Sequence, residues 1–407
     1  MQIKKLSLGK TGKIISKVFL VNILIVAIGL LTNIVIARFF GKENFGIYMY
    51  FFSITNLIYI FASFGLANTF AKFNLNELTK TLLKKVISLL VLSSFIFSVA
   101  IYFFGEYLNL NPNIKLFFWL VLLYSFGVSL FNILGGSLRC LEKFKLAIKF
   151  SLYNRIILIL LILFAILLRN FWFVLLAMSI AIISLSIYEF SKIKFGVKNI
   201  SIKKLLLITF PFFLALINMH SMYHIDRISI NYVLDFAQLG YFSAYSNFIN
   251  ILRIGAFTIP FVMITKSSRQ KYMPFKSIKK LLILLLPIAL LIGLITPFIV
   301  PFLYGSEFVD INYYLIWSMV VSSALLVIYS LINSIFLGEH TSNKTTNIIL
   351  GFDAFLSICV NLILNVILIS NFGLIGAPVA TAIVLLGKIF LNLFGLKFSR
   401  SRQDLIT

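Results

Sequence analysis

From Ser16 to Tyr48 the chain reads SKVFLVNILIVAIGLLTNIVIARFFGKENFGIY. Between Lys17 and Arg38 it carries no charged residue. A helix over this run would be about 30 Å long, the thickness of a bilayer's hydrocarbon core. The run is continuously apolar and does not alternate, so it reads as a spanning helix and not as a barrel strand. Lys4, Lys5, Lys10, Lys13 and Lys17 precede it, as basic residues precede the core of a signal peptide. The run is too long for that, and it ends on Arg38-Phe39-Phe40-Gly41 where a cleavage site would need small residues. It is read as a retained span, and a second apolar run begins at Gly46.

The same pattern fills the chain. Of 407 residues, 61% are hydrophobic and 12% charged, and the mean hydropathy is +1.05. Soluble domains carry about 45–50% apolar and about 25% charged residues. A cytosolic enzyme, a secreted disulfide scaffold and a disordered tail are thereby excluded. Apolar runs at 16–37, 46–68, 86–104, 116–137, 147–168, 171–190, 205–234, 239–264, 281–302, 311–337, 347–370 and 374–396 predict an all-α integral membrane protein of about twelve transmembrane helices. Cys140 and Cys359 are too few for a disulfide framework and are expected as free thiols.

Charge gives the orientation. Of the 36 Lys and Arg, 28 fall in the N-terminal tail and the links on its side of the membrane. Five fall on the other side, at Arg38, Lys42, Lys115, Arg169 and Arg227, and three lie within spans, at Arg155, Arg253 and Lys388. Cytoplasmic loops concentrate Lys and Arg, so both termini are expected in the cytoplasm and the chain in the cytoplasmic (inner) membrane. The net charge of +24 then needs no nucleic-acid partner; the basic loops meet anionic lipid headgroups instead. The outer links are short. They leave no room for the outer domain in which a membrane glycosyltransferase or polymerase holds its chemistry.

The chain also repeats. Gly46, between spans 1 and 2, corresponds to Gly240, between spans 7 and 8, at an offset of 194. Leu141-Glu142-Lys143 parallels Gly338-Glu339-His340 at an offset of 197. Six spans per half make a parallel repeat about a pseudo-two-fold axis along the membrane normal. Two six-helix lobes, 1–198 and 199–407, with a central cleft are expected, the plan of alternating-access transporters.

At these residues a family becomes visible. Asn33 through Arg38, then Phe40-Gly41 and Phe45-Gly46-Ile47-Tyr48, resemble the first two helices of the polysaccharide flippases. These O-antigen and lipid-linked oligosaccharide translocases belong to the multidrug/oligosaccharidyl-lipid/polysaccharide exporter superfamily. Pro211, Asp226-Arg227 and Leu239-Gly240-Tyr241-Phe242-Ser243-Ala244-Tyr245 are similar to the start of that family's second lobe. Asn361, Asn365, Phe372-Gly373-Leu374-Ile375-Gly376-Ala377 and Ala380-Thr381 resemble its last two helices. The resemblance implies a flippase for a polyprenyl-pyrophosphate-linked oligosaccharide, coupled to an ion gradient and not an enzyme. Its partners would be that substrate, membrane lipids and polysaccharide assembly proteins. The rivals are a multidrug or small-molecule antiporter of the same superfamily, a membrane glycosyltransferase or polymerase, and an assembly scaffold. Related lipid II flippases have fourteen spans, so the span count favours the saccharide carriers.

Charges within spans are costly and face a cavity or a partner. His220, His224 and Arg227 lie at i, i+4 and i+7 on one face of span 7, with Asp226 about 100° away. His220 and Arg253 each lie about 21 Å from the outer end of their runs, hence at one depth. Arg253, His220, His224 and Arg227, with Arg38 at the outer end of span 1, read as a cationic cleft for a pyrophosphate headgroup. Arg suits phosphate through bidentate hydrogen bonds. The alternative is a polar cluster that binds helices through Asn247, Asn250 and Tyr223. Asp226 is the candidate ion-coupling carboxylate, or else a partner of Arg227 or Arg253. Asp353 and Lys388 read as an intramembrane ion pair. Arg155, near the cytoplasmic end of span 5, can snorkel, and Tyr48, Tyr241 and Tyr245 stack on sugar only if they line the cavity. No metal is expected, because Ser221 follows His220 where a metalloprotease helix has Glu and no third ligand lies near. No cofactor is expected either: Gly135-Gly136 lacks the Lys-Ser/Thr of a phosphate loop. Seven of the eight prolines fall in the second half, with Pro211, Pro260, Pro287 and Pro297 inside spans, which predicts that the second lobe carries the bent helices.

Overall fold

The computed structural model describes residues 8–70, 80–107, 114–140, 143–191, 202–254, 256, 275–338 and 343–403. In chain order the helices are α1 (Leu8–Ser63), α2 (Leu66–Phe70), α3 (Lys80–Tyr107), α4 (Ile114–Cys140), α5 (Phe144–Leu167), α6 (Trp172–Ser191), α7 (Ile202–Val233), α8 (Phe236–Ile249), α9 (Phe275–Tyr304), α10 (Tyr313–Gly338), α11 (Asn343–Phe355), α12 (Asn361–Phe372) and α13 (Gly376–Gln403). Residues 356–360, between α11 and α12, form a π-helical turn.

Six described stretches are long and apolar enough to cross a membrane: Leu24–Ser63, Phe118–Leu138, Lys149–Leu167, Ile283–Tyr304, Tyr313–Phe336 and Asn347–Leu396. The first and last each hold two passes. An unbroken helix over the 56 residues of α1 would be about 84 Å long, far more than a bilayer. Gly41 breaks it, with φ 81° and ψ 174°, a backbone that a residue with a Cβ rarely adopts. Gly373, at φ 61°, separates α12 from α13 in the same way. The shorter apolar helices Lys85–Ala100 and Trp172–Tyr188, with α7 and α8, complete the twelve-pass bundle. Pro260, Pro274, Pro112 and the basic links at 71–79, 192–201 and 257–274 lie outside the described residues. Pro211 lies inside α7, and Pro287, Pro297 and Pro301 inside α9. Pro378 stands in the first turn of α13, where its missing N–H costs nothing. Cys359 is a free, exposed thiol.

Each half packs on itself. In the first, α4 and α5 lie against α6, and α1 against α3, α4 and α5. In the second, α10 and α12 lie against α13, and α7 against α11 and α12. The halves meet where α1 crosses α8 and α7. At that crossing the repeated glycines face one another. A Cβ on Gly46 would stand 1.8 Å from the Phe236 carbonyl oxygen, and one on Gly240 2.0 Å from that of Lys42. The repeat therefore preserves the close backbone approach at which the two lobes touch around their shared axis.

Candidate functional site

The polar residues of α7 divide onto two flanks, as a helix with about 100° per residue requires. Tyr223 and Arg227 turn toward α8, while Asn218, Met222 and Asp226 turn toward α11, α12 and α13.

On the first flank Tyr223 is the hub. Its hydroxyl donates to Asn247 Oδ1 at 3.1 Å and accepts from Asn250 Nδ2 at 2.9 Å and from an Arg227 Nη. That uses its one donor and both acceptor positions. Arg227 is fully buried and also donates to Asn247 Oδ1 at 2.9 Å. Its Cζ lies 4.0 Å from the centre of the Tyr223 ring, and that of Arg253 lies 5.1 Å from it. Arg253 Nε donates to Ser323 Oγ at 3.1 Å. Neither guanidinium hydrogen-bonds a carboxylate among the described residues. The Arg227 Nε donor is buried and has no partner among the described residues, and the Asn247 amide lies within reach of the Tyr304 hydroxyl. A narrow pocket beside Arg253 is lined by Tyr223, Asp226, Ser246, Ser322, Ser323 and Pro378.

Arg253 reaches this place because α8 stops at Ile249, in the middle of the predicted span. Three-residue turns follow: Ile251 N–H donates to Phe248 O at 3.1 Å, Leu252 to Ile249 at 3.0 Å and Arg253 to Asn250 at 2.9 Å. Irregular backbone at membrane depth is tolerated where it is buried in protein or lines a cavity. The hydropathy of the run carries no sign of this break.

On the other flank Asp226, 3% exposed, hydrogen-bonds neither arginine among the described residues but lies in electrostatic reach of Arg253. Its Oδ1 accepts from Asn361 Nδ2 at 3.1 Å and Asn365 Nδ2 at 2.9 Å, and its Oδ2 from Thr381 Oγ1 at 2.6 Å. The Oδ1 atoms of Asn361 and Asn365 are buried without a partner. Sequence reading placed these three neutral residues in the last two spans but did not connect them to Asp226. Their spacing on α12, i and i+4, is the only signal that they share a face.

The first lobe supplies the opposite wall. The His224 ring lies 6.0 Å from that of Phe52, and its Nδ1 is buried without a partner. Tyr48 lies in electrostatic reach of both Arg227 and Arg155, and Tyr124 in reach of Arg155. Arg155 is partly buried, with an Nη 4.0 Å from where a Cβ on Gly29 of α1 would stand. His220 sits one turn from His224 and is partly buried. Arg38 stands apart: exposed at the end of its pass, it donates to the Phe302 carbonyl of α9. Tyr241 and Tyr245 do not line the cleft. Their hydroxyls donate to the carbonyls of Asp310 and Phe308, the latter at 2.9 Å, and tie α8 to the link between α9 and α10.

Asp353 and Lys388 are brought into one buried network without touching. The Tyr329 hydroxyl donates to Asp353 Oδ2 at 2.9 Å while its ring lies 4.2 Å from Lys388 Nζ. The two charges stay in electrostatic reach, but no direct hydrogen bond joins them: the ammonium's three donors go to the Asn218 carbonyl, Ser357 Oγ and Met222 Sδ.

Three comparisons bear on this arrangement. The family model described as polysaccharide biosynthesis protein matches residues 12–264. Among solved structures, the lipid II flippase MurJ in an inward closed conformation aligns with a TM-score of 0.74 at 19% identity, over 93% of this chain and 87% of that one. An inward-facing multidrug resistance transporter aligns at 0.64 and 14% identity, over 93% of this chain and 94% of that one. The multidrug transporter DinF-BH aligns at 0.61 and 17% identity, over 98% and 97%. At these identities the likeness is one of fold, the twelve-helix, two-lobe plan. No curated protein matches the chain by sequence.

Proposed function

The chain belongs to the polysaccharide biosynthesis protein family, and from that premise we propose that it is a flippase for a polyprenyl-pyrophosphate-linked oligosaccharide in the cytoplasmic membrane. Both termini face the cytoplasm in this reading, and the lobes are 1–198 and 199–407. One observation carries it: two guanidinium groups, Arg227 and Arg253, lie over one tyrosine ring inside the membrane, and among the described residues neither hydrogen-bonds a carboxylate. A pyrophosphate leaving water needs compensating positive charge and donors. The unpartnered Nε of Arg227 is a donor of the kind it would use. A cationic drug would be repelled by the same pair, which sets a multidrug antiporter behind the flippase. His224 and His220 border the headgroup from the first-lobe side, and Arg38 closes the outer mouth.

Asp226 is the coupling site in this reading. Its carboxylate, held by Asn361, Asn365 and Thr381 beside the Arg253 pocket, and the unpartnered Oδ1 atoms of the two asparagines offer oxygen ligands at this layer. Hard monovalent cations and protons favour such donors. Polysaccharide assembly proteins would hand over the substrate.

The test is transport of a fluorescent polyprenyl-pyrophosphate saccharide in vesicles. Removing one partner of a buried, hydrogen-bonded charge costs about 2–5 kcal/mol, so Arg253→Ala lowers transport by about 30-fold or more. Arg253→Lys restores part of it, since Lys keeps the charge and loses the planar fork. If Arg253→Ala inserts normally and transports at the parent rate, the headgroup site is not here, and Arg38 in the first lobe becomes the next candidate.

A further inference from the structure

Below the Asp226 cluster, the same helices carry a second buried polar layer that the flippase reading does not use. Lys388 and Asp353 are both fully buried. Lys388 Nζ donates to the Asn218 carbonyl of α7 at 3.0 Å and to Ser357 Oγ in the π turn at 2.8 Å. Asp353 Oδ2 accepts from Tyr329 at 2.9 Å and from Asn392 Nδ2 at 2.8 Å. Asp353 Oδ1 is buried and has no partner, and neither do the Oδ1 atoms of Asn218 and Asn392. A structural brace would leave no carboxylate oxygen idle in hydrocarbon, where an unmade hydrogen bond is expensive. The helix is also irregular at this layer, and π turns occur frequently at functional sites.

We propose that Asp353 is a proton-binding site of the transport cycle, separate from the Asp226 cluster, with Lys388 as its fixed counter-charge. A metal ion does not suit it, because the ammonium already compensates the carboxylate and would repel a second cation. A proton does. The new O–H bond forms at Oδ1, which gives up no existing hydrogen bond. Asn392, already in contact with Asp353, carries a free carbonyl oxygen to accept it. The proton arrives from outer water when the cleft opens outward and leaves to cytoplasmic water when it opens inward. Asp353 lies ten residues into α11, about 15 Å along the helix from its cytoplasmic end.

The proton has a route to the transport machinery. With Asp353 neutral, Lys388 loses its counter-charge and leans on neutral acceptors alone, among them the Asn218 carbonyl. Asn218, Met222 and Asp226 follow one flank of α7 at i, i+4 and i+8. Met222 Sδ lies 3.9 Å from Lys388 Nζ. Asn361 Nδ2 donates both to the Met222 carbonyl at 3.5 Å and to Asp226 at 3.1 Å. Asp353 meets Tyr329 from α10, Ser357 from the π turn and Asn392 from α13, with Lys388 of α13 in electrostatic reach, and Asn218 and Met222 of α7 meet Lys388 in turn. Among these described residues only Tyr329 and Lys388 titrate.

The experiment uses the full chain in vesicles and two readouts. Infrared difference spectra against pH need no substrate, so they stand or fall apart from the headgroup reading. A protonated-carboxyl band that titrates is expected, lost in Asp353→Asn, kept in Asp226→Asn and moved in midpoint by Lys388→Met. In transport, the double variant Asp353→Asn/Lys388→Met carries no buried charge at this layer and should fold. Its ratio of transport with and without a pH gradient is expected to fall to about one. If Asp353→Asn keeps every titrating carboxyl band, or the double variant keeps the parent's full response to the gradient, Asp353 is a structural residue and the proposal is overturned.

Discussion

Gly46→Ala is the sharpest test of how the two lobes close. The added methyl would stand 1.8 Å from the Phe236 carbonyl oxygen, and ordinary contact begins at 3.4 Å. The difference, about 1.6 Å, must be taken up by backbone, because the atom it meets belongs to the facing helix and cannot rotate away. Overpacking of this kind costs about 1–3 kcal/mol. The cost falls only on the state in which α1 and α8 touch, so it appears as a shift of about 5- to 150-fold toward separated lobes. Ser243, wholly buried one turn below Gly240, reports that state. In a background with Cys140 and Cys359 replaced, Ser243→Cys should resist a membrane-impermeant maleimide added outside. Adding Gly46→Ala should raise its labelling rate by the same factor, and Gly240→Ala should do likewise. A Gly46→Ala protein that folds, transports and labels at the parent rate would refute the argument that this glycine crossing closes the outer side.

Asp226→Asn should fold, keep its contacts to Thr381 and the α12 asparagines, and lose the dependence of transport on the coupling-ion gradient; unchanged dependence would reduce it to a helix tie. Arg38→Ala should lower transport by less than about 5-fold, since an exposed hydrogen bond to one carbonyl is worth about 1 kcal/mol; a loss as deep as that of Arg253→Ala would move the headgroup site to the outer mouth. Reporter fusions after residues 75, 145, 197 and 272 should read cytoplasmic, and those near 110 and 307 external. One inversion in mid-chain would undo the assigned orientation.

The sequence by itself determined the solvent, the number of passes and the repeat. Hydrophobic length is a one-dimensional quantity, and a bilayer reads it directly: a run such as 281–302 spans whatever its neighbours do. It also determined that Gly46 and Gly240 are equivalent, and that Asp226 and Arg227 leave α7 in different directions. Tertiary structure decided what each in-span charge meets. A carboxylate in hydrocarbon takes the nearest donors, and for Asp226 those come from residues 135 to 155 positions away, not from the adjacent Arg227. The same holds for Lys388, whose ammonium was within reach of Asp353 by helical rise but found the Asn218 carbonyl and Ser357 closer. Arg253 shows the limit most plainly. Its depth followed from counting residues, but its direction came from the break after Ile249. At that break Asn250 bonds Tyr223 on another helix, and no local pattern in 239–264 encodes a partner that only folding supplies.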